Sequence, residues 1–519
     1  MVESKTQKQT GVATQMVNKI YCATKNGVGG EIVEVQATFV RALPAFVITG
    51  LANNSIQESK QRVQSALTHI GFHFPPLKIA INLSPADLNK TGSHFDLPIA
   101  LLIALQKENA TPIDWFAFGE LGLDGEIKHS DSLYPLLLEV ALLRPNAKVL
   151  LPRAGQNLFS YIPNLNMYYA DTLKEALEII QNLESKPAPK KNHFDFHSII
   201  INDKNFYYST DFKLDFKEVK GQEIAKRAAL IAASGFHNII LEGSPGCGKS
   251  MIAKRLRYIL PPMDLEDMIE CVKLQALSSQ ETKYSPIRNF RAPHQSASKS
   301  SILGSATQYE AKPGEVALAH NGVLFFDELP YFGKDILESL REPLENNELI
   351  VSRVHSKVSY KTSFLFIGAQ NPCPCGNLLS QTKECRCTDK EILSYKNRLS
   401  EPFLDRIDIF VQMQENEANK QSSITSKEMQ EKVFAAFERQ IKRNQSTFNG
   451  KLSESEIETF CVLDSATADL LAQASIRFNL SHRAIQKIKK LARTIADLDE
   501  SDTIAKKHLL EALSYRKIA

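Results

Sequence analysis

The sequence predicts a multidomain α/β protein organised around a phosphate-binding loop, and three observations lead there. Its 519 residues exceed what one hydrophobic core supports, so roughly two to four domains are expected. Gly243-Ser244-Pro245-Gly246-Cys247-Gly248-Lys249-Ser250 stands between an apolar run at 239–241 and a helix-like segment at 251–259. That is the strand–loop–helix order a P-loop requires. Further on, Val323-Leu324-Phe325-Phe326-Asp327-Glu328 reads as an apolar strand ending in two carboxylates.

The residue types of the loop suit a nucleoside triphosphate. Glycines let backbone N–H groups turn inward around a β-phosphate, and the following helix N-terminus adds partial positive charge. Lys249 is expected to reach the β/γ-phosphates of ATP, and the Ser250 hydroxyl to ligate Mg²⁺. Asp327 is placed to hold the Mg²⁺ hydration shell, and Glu328 to polarise the attacking water as general base. Cys247 reads as a small spacer within the loop. ATP binding and hydrolysis are the expected chemistry.

Composition narrows the class. The chain is 43% apolar and 23% charged, as soluble globular proteins are. A formal charge of +3 is too small to argue for nucleic acid by itself, so a nucleic-acid site must be a local patch. The eight cysteines show no secreted-protein framework, the first residues are polar, and no apolar stretch is long enough to span a bilayer. A cytoplasmic location without membrane contact is expected.

The elements follow in order. Residues 19–184 mix strand and helix: 31–40 alternates as a strand, 56–70 has helical spacing, and 78–83 is another strand. Stretches 97–106 and 134–143 read as buried helices, and 148–151 as a short strand. The basic, Pro-containing run 184–191 suits an interdomain linker, taken to extend over 185–214. An α/β nucleotide-binding domain is expected at 215–414. Residues 415–519 read as mostly helical, with charge-rich connectors near 416–426 and 444–456.

Five motifs occur together in sequence order: Gly92-Ser93-His94-Phe95-Asp96-Leu97-Pro98; Ala292-Pro293-His294; the P-loop with its carboxylate strand; Asn371-Pro372-Cys373-Pro374-Cys375-Gly376; and Leu404-Asp405-Arg406-Ile407-Asp408. The chain thereby resembles the magnesium-chelatase-like AAA+ ATPases of the ComM (YifB) type, over nearly its whole length. The resemblance implies a Lon-protease-like (ribosomal S5-like) α+β domain at the N-terminus, a AAA+ P-loop α/β core and a C-terminal helical lid. It also implies a homohexameric ring acting on single- or double-stranded DNA in natural transformation, with helicase or branch-migration activity. One departure stands out: Gln295 and Gly304-Ser305-Ala306-Thr307 occupy places where the family often has a second histidine and a Gly-rich run.

The same resemblance assigns further residues. Asn371, at the end of an apolar strand 364–369, takes the sensor 1 role of orienting the attacking water; it also reads as a turn former before Pro372. Arg406 becomes a finger facing the neighbouring subunit's nucleotide, against the alternative of an ion pair with Asp405 or Asp408; Arg398 is a second candidate. Arg483, in the first turn of a helix N-capped by Ser481, takes the sensor 2 place over the γ-phosphate, or is a surface arginine.

Two further clusters are legible from the residues. Cys373, Cys375, Cys385 and Cys387 form two pairs across a short loop, a spacing that can bring four thiolates to Zn²⁺ in a closed structural site; four reduced buried cysteines is the alternative. Residues 348–353 and 357–361 read as a hairpin. The resemblance implies that a hairpin in this place points into the channel of a ring, where its Arg353, Lys357 and Lys361 are expected to track DNA phosphates, unless the hairpin is simply solvated. The insert 291–312, with Lys299, is the second candidate.

At the N-terminal domain neither a Gly-Pro-Ser-Ala-Gly nucleophile turn nor a lysine near Asp131-Ser132-Leu133-Tyr134-Pro135 is found, so Ser93 and His94 are read as turn residues and the domain as non-proteolytic. The leading expectation is an ATP-driven DNA motor. A magnesium-chelatase-type motor subunit driving metal insertion through a partner is the alternative, and a non-enzymatic scaffold is a third.

Overall fold

The structure is a computed structural model and describes residues 18–107, 114–182, 184–306, 311–353, 356–414 and 424–516. The chain divides into two compact units, residues 1–192 and 193–519.

The first unit is built on a seven-stranded mixed sheet. Its order is Ala45–Thr49, Lys78–Ser84, Gly29–Val40, Asn18–Asn26, Trp115–Ala117, Ala147–Pro152 and Leu165–Ala170. The expected strands at 31–40, 78–83 and 148–151 and the helix at 56–70 all appear, with ends moved by a few residues. Helices Asp96–Ala104 and Tyr134–Leu143 are apolar nearly all round and therefore buried. Asp96 is the one acid drawn in with the first of them. Arg62 answers it with two hydrogen bonds, Nε to Oδ2 at 2.6 Å and Nη2 to Oδ1 at 3.1 Å, and the Leu121 N–H adds a third at 3.2 Å. A buried carboxylate requires such partners, which gives the Gly92–Pro98 motif a structural purpose.

The second unit holds a five-stranded parallel sheet in the order Phe290–Arg291, Val323–Phe326, Leu365–Gln370, Ile239–Gly243 and Ile409–Met413. Val323–Phe326 is wholly apolar, and the other three longer strands are apolar until Glu242, Gln370 and Gln412 near their C-terminal ends, as sheets covered on both faces are. Two hairpins project from this core. Gly304–Ala306 pairs with Ala311–Pro313 within the 291–312 insert, and Glu348–Arg353 pairs with Ser356–Lys361 as expected. Residues 307–310 and 354–355 lie outside the described residues.

Helices Ser426–Lys442, Glu454–Phe460, Ser465–Arg477, His482–Leu498 and Lys506–Ser514 complete the unit. The first and fourth pack on helix Glu223–Gly235 of the core. Asp497 is fully buried at their centre, where Arg443 (2.5 and 2.7 Å), Arg493 (3.0 Å) and Asn449 (2.8 Å) all donate to it. The connector read at 416–426 falls largely outside the described residues.

The stretch 185–214 is not a linker throughout. His197–Ile201 and Lys204–Tyr208 form an antiparallel hairpin. Its turn residues Asn202 and Asp203 both have positive φ, 47° and 60°, which is the two-residue turn chemistry of tight hairpins. Phe206 packs edge-on against Phe437 at 5.2 Å, and Tyr207 exchanges backbone hydrogen bonds with Met263 at 2.7 and 3.0 Å. Two apolar runs around Asn-Asp were the available signal, and the hairpin belongs to the second unit.

Buried histidines give the fold an acid limit. His94 in the first unit hydrogen-bonds Ala23 O at 2.8 Å, and burial pushes its imidazole down to about 4. His320 in the second accepts the Ser363 N–H at 3.1 Å, and burial pushes it down to about 3. Both are neutral when folded, whereas an unfolded chain protonates them near pH 6.5. Stability is therefore full above that pH and falls as acid is added, by up to about 1.4 kcal/mol per pH unit for each histidine. Urea midpoints measured from pH 7 to pH 5 should drop for both units. Replacing His320 with Gln should flatten the slope of the second unit alone.

Candidate nucleotide site

Strand order assembles the site. Ile239–Gly243, which feeds the P-loop, lies beside Leu365–Gln370, and that strand lies beside Val323–Phe326. All three run parallel, so the P-loop, Asn371 and the Asp327–Glu328 pair emerge at one edge of the sheet. Lys249 Nζ donates to Gly243 O at 2.6 Å, Ser244 O at 3.0 Å and Asn371 Oδ1 at 3.1 Å. Ser250 Oγ donates to Asp327 Oδ2 at 2.8 Å. Residues far apart in sequence thus meet as their motifs require.

The loop fits a triphosphate. Gly246 and Gly248 hold φ of 82° and 98°, a left-handed conformation that turns consecutive N–H groups to one side and strains any residue with a Cβ. The Ser244 hydroxyl is buried without a hydrogen-bond partner among the described residues, a polar group that calls for a ligand. Ser250 and Asp327 are the groups that would hold Mg²⁺, which when bound neutralises phosphate charge.

Glu328 is exposed, with φ 53° and ψ 44°. A non-glycine residue there costs roughly 1 kcal/mol or more. Its N–H donates to Asp327 Oδ1 at 3.0 Å. The twist ends the strand at the second carboxylate.

The two arginines lie elsewhere. Strand register pairs Ile239 with Ile409 and Gly243 with Met413, so Arg406, preceding that strand, sits at the opposite edge from its own P-loop. Four strand residues separate the edges by about 13 Å. Arg406 pairs with neither Asp405 nor Asp408. It donates to Glu345 Oε2 through Nη2 at 2.6 Å and Nε at 3.2 Å, and to Pro402 O at 2.6 Å. Arg483 joins it, donating to Glu345 Oε1 and to Asp405 Oδ2 at 3.4 Å. The helix that carries Arg483 thus starts against the arginine edge, beside Arg406. Burial alone would raise the Glu345 carboxyl, but Arg406 and then Arg483 pull it below the usual carboxylate range. Nothing in the sequence marked Glu345, an ordinary acid near a helix end. Arg398 stacks on Tyr331, 5.3 Å from the ring centre.

The four cysteines converge. Sγ–Sγ distances are 3.5 Å for Cys373–Cys375, 3.7 Å for Cys373–Cys385 and 3.6 Å for Cys375–Cys385, and all four ligand atoms including Cys387 lie within 4.8 Å of one another. Four thiolates around a tetrahedral ion with 2.3 Å bonds would stand about 3.8 Å apart. Backbone N–H groups of Asn377 and Arg386 pull the Cys375 thiol down to about 6.

On the 348–361 hairpin, Leu349, Val358 and Tyr360 are buried while Lys357 and Lys361 face outward. Lys361 lies 3.7 Å from Glu270, a long ion pair on an exposed side chain. The side chain of Arg353 is outside the described residues.

Residues 215–421 match the family described as magnesium chelatase, subunit ChlI. Residues 33–155 match subunit ChlI of Mg-chelatase, and 423–516 its C-terminal part. The chain is 35% identical to the competence protein ComM of Haemophilus influenzae, over 96% of this chain and 97% of that protein. It is 36% identical to the protein YifB of Escherichia coli, over 95% of each. The chain belongs to the magnesium-chelatase-like ComM/YifB family. Similarity to the magnesium-chelatase 67 kDa subunit of Heliobacterium mobile is more distant, 25% over 31% of this chain.

Family membership implies ATPase activity, and the second unit is a AAA+ α/β core with a C-terminal domain. Among the described residues no helix is long and apolar enough to cross a membrane.

The site separates binding from hydrolysis. Lys249→Ala removes the cation expected to face the phosphates, so ATP affinity should fall roughly 10- to 100-fold. Glu328→Gln keeps the shape but not the base, so kcat should fall roughly 10²-fold or more with ATP still bound. Equilibrium binding of labelled ATP beside steady-state hydrolysis checks both.

Proposed function

We propose that this protein is an ATP-driven, ring-forming DNA motor, with helicase or branch-migration activity during natural transformation and recombination of incoming DNA. The observation that carries the reading is the nucleotide site in which Lys249 meets Asn371 and Ser250 meets Asp327, in a chain similar end to end to a competence protein. Arg406 supports assembly. A guanidinium at the edge opposite its own loop serves catalysis only on a neighbour's nucleotide, so the hexameric ring becomes part of the mechanism. Asn371 positions the attacking water, Glu328 takes its proton, and the neighbour's Arg406 meets the developing phosphoryl charge.

The lysines of the 348–361 hairpin, with Arg353, supply a sequence-independent phosphate track. Zn²⁺ is proposed at Cys373, Cys375, Cys385 and Cys387, where a full set of protein ligands makes the ion structural. The first unit is taken as a Lon-protease-like platform without proteolysis, at work in the cytoplasm. Its Ser93 hydroxyl donates to Glu120 and its His94 faces Ala23 O, which leaves neither poised as nucleophile or base. The family descriptions keep a chelatase motor subunit as the second reading, but the chelatase subunit covers only 31% of the chain.

Single-stranded DNA should raise the ATPase rate, and a chelatase motor would instead need a metal-inserting partner. Arg353→Ala with Lys357→Ala should keep basal hydrolysis, reduce DNA stimulation and lessen the salt dependence of DNA binding by roughly two phosphate contacts. An unchanged stimulated rate moves the track to the 291–312 insert or the first unit. Arg406→Ala should lower hydrolysis by about 10³-fold or more. Mixing it with Glu328→Gln should recover activity if the arginine works across subunits; no recovery at any mixing ratio argues against that.

A further inference from the structure

The cysteine cluster lies directly on the nucleotide loop. A Cβ added at Gly376 would stand 2.6 Å from Pro245 Cδ and 2.7 Å from Pro245 Cγ, so the cysteine turn and the P-loop touch with no room for a methyl group. Gly376 has φ 81°, and its N–H donates to Cys373 O at 3.0 Å, closing the turn. Asn371 Cγ is 3.8 Å from the same position. A single segment therefore carries the Lys249 partner, the first thiol and the P-loop contact.

The middle of that segment is held mainly by its own turns. Residues 371–388 contain no helix or strand. Pro372, Cys373 and Gly376 are buried at its start, but beyond them Leu378 and Leu379 are 39% and 37% exposed, so apolar packing does not anchor the rest of the loop. Its far end is anchored: Thr388 caps helix Asp389–Lys396 through a capping box with Glu391, directly after Cys387. Tyr395 of that helix is buried and meets Tyr331 edge-on at 5.9 Å, just beyond the Asp327–Glu328 carboxylates. An ion bound by the four thiolates would join the end of the Leu365–Gln370 strand to this helix, with the P-loop pressed against the join.

We propose that this metal knuckle is a positioning element for ATP hydrolysis. With Zn²⁺ held, the turn seats Gly376 on Pro245 and fixes Asn371 against Lys249; without it, both contacts loosen. The inference rests on the zinc reading given above. Binding releases the protons of whichever thiols are not already ionised and involves no change of oxidation state.

The test uses the full-length protein, with metal content, nucleotide affinity and hydrolysis read separately. About one zinc per chain is expected from four ligands. Stripping it with a chelator should weaken binding of a non-hydrolysable ATP analogue at least severalfold and lower kcat, and added Zn²⁺ should restore both. Gly376→Ala leaves every ligand in place, so it should keep its zinc and its circular dichroism yet lose hydrolysis several- to tenfold. Adding Pro245→Ala, which removes the two atoms the new methyl strikes, should recover part of that loss, an outcome that general destabilisation would not produce. A purified protein without zinc, whose four thiols titrate freely, overturns the zinc reading and the inference together. Zinc present, with stripped protein and Gly376→Ala both at the parental rate and affinity, overturns the inference and leaves the zinc site standing.

Discussion

The parallel register between Ile239–Gly243 and its two neighbours is the constraint on which the rest depends. On one side it brings the end of Leu365–Gln370 level with the P-loop, so Asn371 reaches Lys249. On the other it sets Arg406 level with the start of the P-loop strand. One strand thus has a phosphate edge and an arginine edge, and no side-chain rotation exchanges them. A slip of register would separate Ser250 from Asp327, whose contact is a single 2.8 Å hydrogen bond. The register is marked at the C-terminal ends of these strands, where Gln370 and Gln412 both donate to Glu242, at 2.7 and 3.3 Å.

What was legible in the sequence was local. The P-loop, the carboxylate pair and the 348–361 hairpin each declare themselves within a few residues, because turn glycines, strand ends and alternation act at short range. Helices 134–143 and 56–70 were read nearly to their ends for the same reason. The hairpin at 197–208 was equally local, but the Pro-containing run before it masked the Asn202-Asp203 turn. Partners set by tertiary packing were out of reach. That Arg483 and Arg406 share Glu345 follows from how helix His482–Leu498 packs on the core, which no local pattern announces. Cysteine spacing announced a cluster of four thiols; its seat on Pro245 depends on a glycine that only the folded contact explains.

The edge away from the nucleotide is crowded with charge. Asp408 accepts the Asn238 N–H at 2.8 Å and lies 3.1 Å from Lys487, and burial holds that lysine down to about 8. Such a buried pair gains little net stability over an apolar one but penalises loss of either partner. It ties helix His482–Leu498 to the end of the sheet, while the Asp497 cluster ties the C-terminal helices to one another.

Glu345 belongs to helix Arg341–Asn346, and the first strand of the lysine hairpin begins at Glu348. Only Asn346 and Asn347 intervene, and Asn347 is fixed in a left-handed turn with φ 55°. The carboxylate that grips both arginines is therefore also the root of a beam about 20 Å long, given six strand residues. A small rotation at such a root becomes a travel of several ångströms at the tip. Force applied at Glu345 would then reach the far end of the hairpin as leverage, through the backbone alone, with no relay of side chains between.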